Sequence, residues 1–376
     1  MKQEANFYSQ LKIKNSEIPI LENYEKDPGE WFWKEFPSKQ LPSVPESSID
    51  SDKLLSELEG VKDRITHAEY TRGLRAIESI KEGAPSHQKS SLPGCFVENS
   101  SSTTKHGREV SDNIATWVKN NYAAGPFRTP PLSEFRVNPL LAVVQPGKIR
   151  PVLDVSRPEG KSYNCNVDEN KMEKIKMTSA KIFGNKLLEA GENAIFSKSD
   201  LVAAYKQVPC KLSDLKNQGF CWLGRYFVET RQVFGAKTSV ANFDNVGETL
   251  QVIALAKTGL HRNTSIRQLD DLVIVAPFSK NWCQMLTKEY KILCKNVGVE
   301  LAENCEKCEK AFENKQRGKV LGVLFDSTDL TWALPEEKIE KCLKKIKEIL
   351  ESATVSLKNY QKTMGRINDI CQMCPF

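Results

Sequence analysis

The stretch Gln268-Leu269-Asp270-Asp271-Leu272-Val273-Ile274-Val275 constrains this chain more than any other, because two adjacent aspartates run directly into an apolar strand. Neighbouring carboxylates repel one another, and burying them beside apolar residues is costly unless a cation compensates. Hard oxygen donors at such a place suit Mg²⁺ or Mn²⁺. An Asp-Asp pair in an exposed surface turn is the alternative, and the pair taken alone leaves both readings open.

A second acidic position sharpens the first. In Phe196-Ser197-Lys198-Ser199-Asp200-Leu201-Val202-Ala203-Ala204-Tyr205 an apolar strand over residues 194–196 runs into Asp200, with an aromatic residue five positions on. Two-metal phosphoryl transfer requires carboxylates from separate strands to converge on ions about 3.5–4 Å apart. One strand ending at Asp200 and another starting at Asp270 and Asp271 meet that requirement. In Gly147-Lys148-Ile149-Arg150-Pro151 the two basic residues stand two apart on an expected strand, so both point to one face and suit triphosphate oxygens. The polar face of a half-exposed strand is the plainer reading of that pair.

In this order the segments resemble a reverse transcriptase. The Lys148 and Arg150 strand resembles the fingers segment that contacts the incoming nucleotide's phosphates. Ser199-Asp200-Leu201-Val202-Ala203-Ala204-Tyr205 resembles the first palm motif, which implies that Asp200 and the Leu201 carbonyl bind metal and that Tyr205 excludes a 2′-hydroxyl. Val233-Phe234-Gly235-Ala236-Lys237-Thr238-Ser239-Val240-Ala241-Asn242-Phe243 resembles the second motif, placing Phe234 and Gly235 at the nucleotide or template. Gln268-Leu269-Asp270-Asp271 resembles the third, a tight strand–turn–strand, with Gln268 near the primer end. Val320-Leu321-Gly322-Val323-Leu324-Phe325 resembles the primer grip, giving Leu321 and Gly322 a primer role. Trp332-Ala333-Leu334-Pro335-Glu336-Glu337-Lys338 and the tail over residues 357–368 are most similar to retrotransposons of the tyrosine-recombinase (DIRS-like) kind.

The resemblance covers residues 114–376 and departs from the family in three places. Gln268 replaces an aromatic residue, Val233 and Val240 replace two prolines, and the motif carrying a mobile lysine aligns with either Lys307 or Lys310. The three carboxylates are all present. The implied partners are an RNA template, a DNA primer and deoxynucleoside triphosphates, with two Mg²⁺ or Mn²⁺ ions as cofactor. In such elements a ribonuclease H domain usually follows. This sequence stops where it would begin, so that activity is expected from elsewhere.

Composition agrees with a globular protein: of 376 residues, 40% are hydrophobic and 27% charged. No apolar run approaches the roughly 20 residues that span a bilayer, the longest covering residues 272–278. The first ten residues lack the apolar core of a secretory signal, and eleven scattered cysteines fit a reducing, intracellular compartment, cytoplasm or nucleus. The net charge of +6 is uneven, with −3 on residues 1–105 and +9 on the rest, which hints at a polyanionic partner.

The expected fold class is α+β, a right-hand polymerase. Residues 1–110 read as an acidic, largely disordered leader with one helix over residues 50–83, where Leu54, Leu58, Val61, Ile65 and Ala68 form one stripe. Residues 85–105, rich in serine and threonine, read as a linker. Fingers follow over residues 111–195, the palm over 196–335 and the start of a thumb or connection over 336–376. Strands are expected at residues 140–144, 151–155, 194–196, 225–228, 272–275 and 319–325, and a helix from Pro335 to about Ser352.

Cys305-x-x-Cys308 and Cys371-x-x-Cys374 have the spacing of zinc half-sites but are widely separated, and none of the four histidines, His67, His87, His106 and His261, is near either. That reading is set aside. Lys341, Lys344, Lys345 and Lys347 suit either a nucleic-acid backbone or a solvated helix face paired with Glu337, Glu340 and Glu348. The leading functional expectation is an RNA-directed DNA polymerase. Its rival is a non-catalytic nucleic-acid-binding protein of the same shape, and another palm-type nucleotidyl enzyme stands third.

Overall fold

The computed structural model describes residues 28–145, 147–175, 177–302 and 311–371. Strands and helices alternate irregularly, so the α+β expectation holds. The chain divides into two compact units.

The first unit comprises Met1–Ser51, Arg75–Lys174 and Tyr205–Phe243. Its five-stranded sheet runs in the order Cys95–Phe96, Arg136–Val137, Gly219–Trp222, Arg225–Glu229, Ala123–Phe127. A separate hairpin pairs Leu140–Gln145 with Lys148–Leu153, in register from Leu140 opposite Leu153 to Gln145 opposite Lys148. The core gathers Phe32, Trp33, Phe36, Val110, Ile114 and Phe227, with the Phe220 and Phe227 rings stacked at 5.2 Å.

The described part of the expected leader therefore differs from its reading. Phe32 and Trp33 lie on the six-residue helix Glu30–Glu35 and are buried. A helix under two turns long is too short to display a period, so its aromatics look isolated in the sequence. The expected linker also contributes structure: Leu92 and Thr103 are buried, and Ser100 caps the short helix Ser101–Lys105 by accepting a hydrogen bond from the Ser102 N–H. Residues 1–27 lie outside the described part.

The second unit comprises Asp52–Leu74, Ile175–Ala204 and Asp244–Phe376. Its four-stranded antiparallel sheet has the order Phe312–Lys315, Ile195–Ser199, Asp271–Ala276, Ser265–Gln268. Alternation sends Phe196, Val273 and Val275 into a core shared with Phe183 and Leu187 of the helix Ala180–Ala190. On the opposite face Cys283, from the helix Trp282–Asn296, donates to the Ser197 hydroxyl.

Two elements depart from expectation here. The helix expected over residues 50–83 is two helices, Ser51–Glu59 and His67–Lys81. The second starts afresh because Thr66 and Glu69 form a capping box, with Thr66 N–H donating to Glu69 Oε2 and Glu69 N–H to Thr66 Oγ1. The single strand expected at residues 319–325 is a hairpin of Arg317–Val320 and Val323–Asp326, turned at Leu321 and Gly322, both at positive φ. The helix expected from Pro335 runs Glu336–Leu350, with Pro335 as its N-cap, and a further helix, Leu357–Cys371, follows it.

Candidate functional site

The strands Ile195–Ser199 and Asp271–Ala276 pair antiparallel with Leu272 opposite Ser199. One residue further, that register sets Asp271 across from Asp200. Asp270 sits in the two-residue turn between Gln268 and Asp271, which face each other as the last pair of the neighbouring ladder. Only Leu269, the first turn residue, has positive φ, at 56°, the pattern of a II′ hairpin turn. The fold thus brings Asp200 to the Asp270–Asp271 pair, some 70 positions further on in sequence.

Their environment is mixed. Asp200, Asp270 and Asp271 are all half-buried. Burial pushes the Asp271 carboxyl up to about 6; Lys198 pulls it back, while Asp270 and Asp200 push it further up. Lys198 Nζ lies 3.0 Å from Asp271 Oδ1, with the two side chains 12% and 21% exposed. Carboxylate oxygens are the donors that Mg²⁺ or Mn²⁺ prefers, and the repulsion felt at Asp271 is what such an ion relieves, so the donor set fits. Among the described residues no three carboxylate, thiol or imidazole groups already converge into a cage.

The main chain around Asp200 is held in place. The Asp200 carbonyl accepts from the Ala302 N–H at 2.8 Å, the Val202 N–H donates to the Glu300 carbonyl, and buried Leu201 bridges to Leu301. Gln268, where the family resemblance expects an aromatic residue, accepts from the Thr178 N–H at 2.8 Å and donates to Met177 Sδ. It ties the hairpin to the segment before the helix Ala180–Ala190.

Arg267 is the residue whose part in the site the motifs did not announce. Its Nη1 donates to the Leu269 carbonyl at 3.0 Å, and its Nη2 reaches Asp244 Oδ1 at 2.6 Å and Glu248 Oε2 at 3.3 Å. Arg72 holds the other Asp244 oxygen at 2.5 Å, and Arg262 binds Glu69 and Glu248. This charge network reaches the turn from the helix Lys237–Thr258, whose residues from Asp244 onward belong to the second unit. The signal in the sequence is faint, since Asp244 and Glu248 are one helical turn apart and Arg267 stands alone.

The remaining expected site residues fall in two places. Leu321 and Gly322 occupy the second unit's other hairpin turn, with Leu321 packed against the Phe196 and Phe325 core. Lys148 and Arg150 lie on the first unit's hairpin, Lys148 exposed and Arg150 half-buried. Tyr205 belongs to the same unit, its ring packed edge-on against Phe234 at 5.0 Å and Phe243 at 5.6 Å. Phe234 is 53% exposed, and Gly235 adopts φ 90°, a conformation that only glycine takes without strain. Lys307, Lys310, Cys305, Cys308 and Cys374 lie outside the described residues.

No family model matches this chain. No curated protein matches it in sequence. Solved structures do. The foamy viral protease-reverse transcriptase in complex with double-stranded DNA superposes with a TM-score of 0.52 at 17% identity, over 88% of this chain and 63% of that one. The same kind of protein with an RNA/DNA hybrid gives 0.52 at 16% identity, over 88% of this chain and 41% of that one. A third such structure with double-stranded DNA gives 0.51 at 17%, over 88% and 54%. The chain thus spans less than two thirds of the length of these proteins. The likeness shows the reverse transcriptase polymerase fold. Among the described residues no helix is long and apolar enough to cross a membrane.

Proposed function

We propose that this chain is the polymerase region of an RNA-directed DNA polymerase of retrotransposon origin, grouped with the tyrosine-recombinase (DIRS-like) elements. The observation that carries the proposal is the pairing of Leu272 with Ser199, which brings Asp271 close enough to Asp200, just past its strand, to feel its charge, with Asp270 in the adjoining turn, on a reverse transcriptase fold. Asp200, Asp270, Asp271 and the Leu201 carbonyl hold Mg²⁺ or Mn²⁺. When bound, these ions supply Lewis acidity for attack by the primer 3′-hydroxyl and for departure of pyrophosphate. Lys148 and Arg150 neutralise the triphosphate. Tyr205 packs under the sugar, its ring fixed by Phe234 and Phe243. Gly235 presents backbone to the nucleotide, while Gln268, Leu321 and Gly322 flank the primer.

The template and primer are proposed from the same fold, whose solved relatives hold double-stranded DNA and an RNA/DNA hybrid. The test is extension of a DNA primer on an RNA template with Mg²⁺ or Mn²⁺. Incorporation of complementary deoxynucleotides supports the proposal. A second reading, a non-catalytic nucleic-acid-binding protein, is favoured by Gln268 being tied to Thr178 where an aromatic residue is expected. Salt-sensitive duplex binding with no extension under either metal selects that reading. Extension that rises in Gln268→Tyr selects the enzyme.

A further inference from the structure

We infer that Lys198 is a positioning residue that acts as the resident counter-cation of the carboxylate cluster, occupying Asp271 in competition with a divalent ion. The inference rests on the metal-binding reading above and adds what this chain does when no ion is bound. Three observations carry it.

First, alternation along Ile195–Ser199 places Lys198 on the same face as Asp200 two residues on, and the register opposite Val273 makes Asp271 its diagonal neighbour. Second, the side chain has little freedom to leave. Val273 on one side and Phe312 on the other are its direct cross-strand partners, both buried, so the lysine stem lies between apolar neighbours and the ammonium emerges beside the carboxylates. Third, the contact is made: Nζ lies 3.0 Å from Asp271 Oδ1, and both side chains are largely withdrawn from water. At that separation and burial the lysine charge matters to any second cation, because screening by solvent is weak.

The consequence is a competition. Asp271 would have to share its carboxylate between the ammonium and a divalent ion, or give up the ammonium, and in either case Lys198 would keep a positive charge a few ångströms from the ion. Lys198 thus stabilises the Asp271 carboxylate, beside Asp270 and Asp200, without metal and weakens its affinity for an ion. Removing the charge while keeping the stem should reverse both effects.

The experiment uses the full chain without nucleotide or nucleic acid and follows thermal unfolding as Mn²⁺ is titrated, since an ion that binds only the folded state raises the transition by mass action. Lys198→Met and Lys198→Gln should unfold at lower temperature than the wild type in chelator, and should reach half of their Mn²⁺-induced shift at about tenfold lower Mn²⁺. Lys198→Arg, which keeps the charge, should titrate as the wild type. Equal or higher Mn²⁺ midpoints in the neutral variants overturn the inference, and with the wild type still binding they leave the metal site itself intact. If neither the wild type nor the neutral variants respond to Mn²⁺, the metal reading falls and takes the inference with it. Failure of both neutral variants to fold even in millimolar Mn²⁺ also overturns it, because the lysine is then a structural requirement that an ion does not replace.

Discussion

Gly247, in the middle of a helix, stands where a Cβ would lie 2.9 Å from Arg267 Nη1 and 3.3 Å from the Leu269 carbonyl. The helix Lys237–Thr258 approaches the Leu269–Asp270 turn this closely because the side chain is absent, and the approach lets Asp244 and Glu248 grip Arg267. Glycine at a helix interior costs about 1 kcal/mol relative to alanine. Here that cost is offset by the ion pairs and by the hydrogen bond from Arg267 to Leu269.

The Arg267 side chain is 8% exposed and Asp244 6%, so their pairing is sheltered from solvent. Arg267→Met should lower the unfolding free energy by about 3 kcal/mol, since it leaves buried carboxylates short of a partner. Gly247→Ala should be destabilising despite its better helix propensity, because it pushes the guanidinium off the Leu269 carbonyl. Urea denaturation measures both. A stabilised Gly247→Ala protein would show that the close approach is not needed.

Gly73 makes a second such packing point, where a Cβ would meet Leu58 Cδ2 at 2.6 Å and Cδ1 at 3.0 Å. Leu58 is fully buried on the preceding helix. Alanine should gain about 1 kcal/mol of helix propensity and lose about 1–3 kcal/mol to overpacking. The expected outcome of Gly73→Ala is a lower melting temperature. A higher one would contradict the contact.

Half-buried His87 gives a pH dependence with a definite sign. Burial holds its pKa below the usual 6.5, Lys171 adds to the effect, and Asp214 and Asp168 oppose it. The unfolded chain therefore takes up this proton first as pH falls. Stability is complete above about 6.5 and declines as pH drops through that value toward the lower folded pKa. His87→Gln should flatten this part of the curve, as measured by chemical denaturation at pH 7.5 and pH 5. An unchanged slope would remove His87 as its source.

The ring of Tyr205 is braced on two sides, which is the geometry of a rigid wall rather than a mobile side chain. If it lies beneath the sugar, Tyr205→Val should admit ribonucleotides, with incorporation relative to deoxynucleotides rising by about tenfold or more, a transition-state difference of about 1.4 kcal/mol. Phe234→Ala, which removes one brace, should give a smaller rise. Steady-state incorporation of matched ribo- and deoxynucleotides reads both, and unchanged discrimination in Tyr205→Val would count against the sugar role.

Much of the architecture was legible where residue type and local period coincide. Asp270 and Asp271 before an apolar run, and Asp200 after one, mark two strands by composition alone, and the α+β class follows from their irregular mixing with helices. What local pattern does not carry is which strands are neighbours and in which register. Nothing in the sequence marks Lys198, because its partner, Asp271, is 73 residues away and becomes adjacent only through the Leu272–Ser199 pairing. Arg267 was silent for the same reason. Phe32 and Trp33 carry no legible pattern, since a helix of six residues is too short for a period, and Trp33 and Phe36 pack on Phe227 far along the chain. Conversely, Thr66 and Glu69 spelled out a helix start that an apolar stripe running across it concealed.

The most direct measurement is extension of a DNA primer on an RNA template by wild-type protein and by Asp270→Asn together with Asp271→Asn, at matched duplex binding and with Mg²⁺ or Mn²⁺. Loss of both carboxylates should abolish extension, a fall of at least about a thousandfold, while duplex binding persists. Extension by the double variant at a rate near that of the wild type would contradict the assignment of these aspartates as the centre of a polymerase.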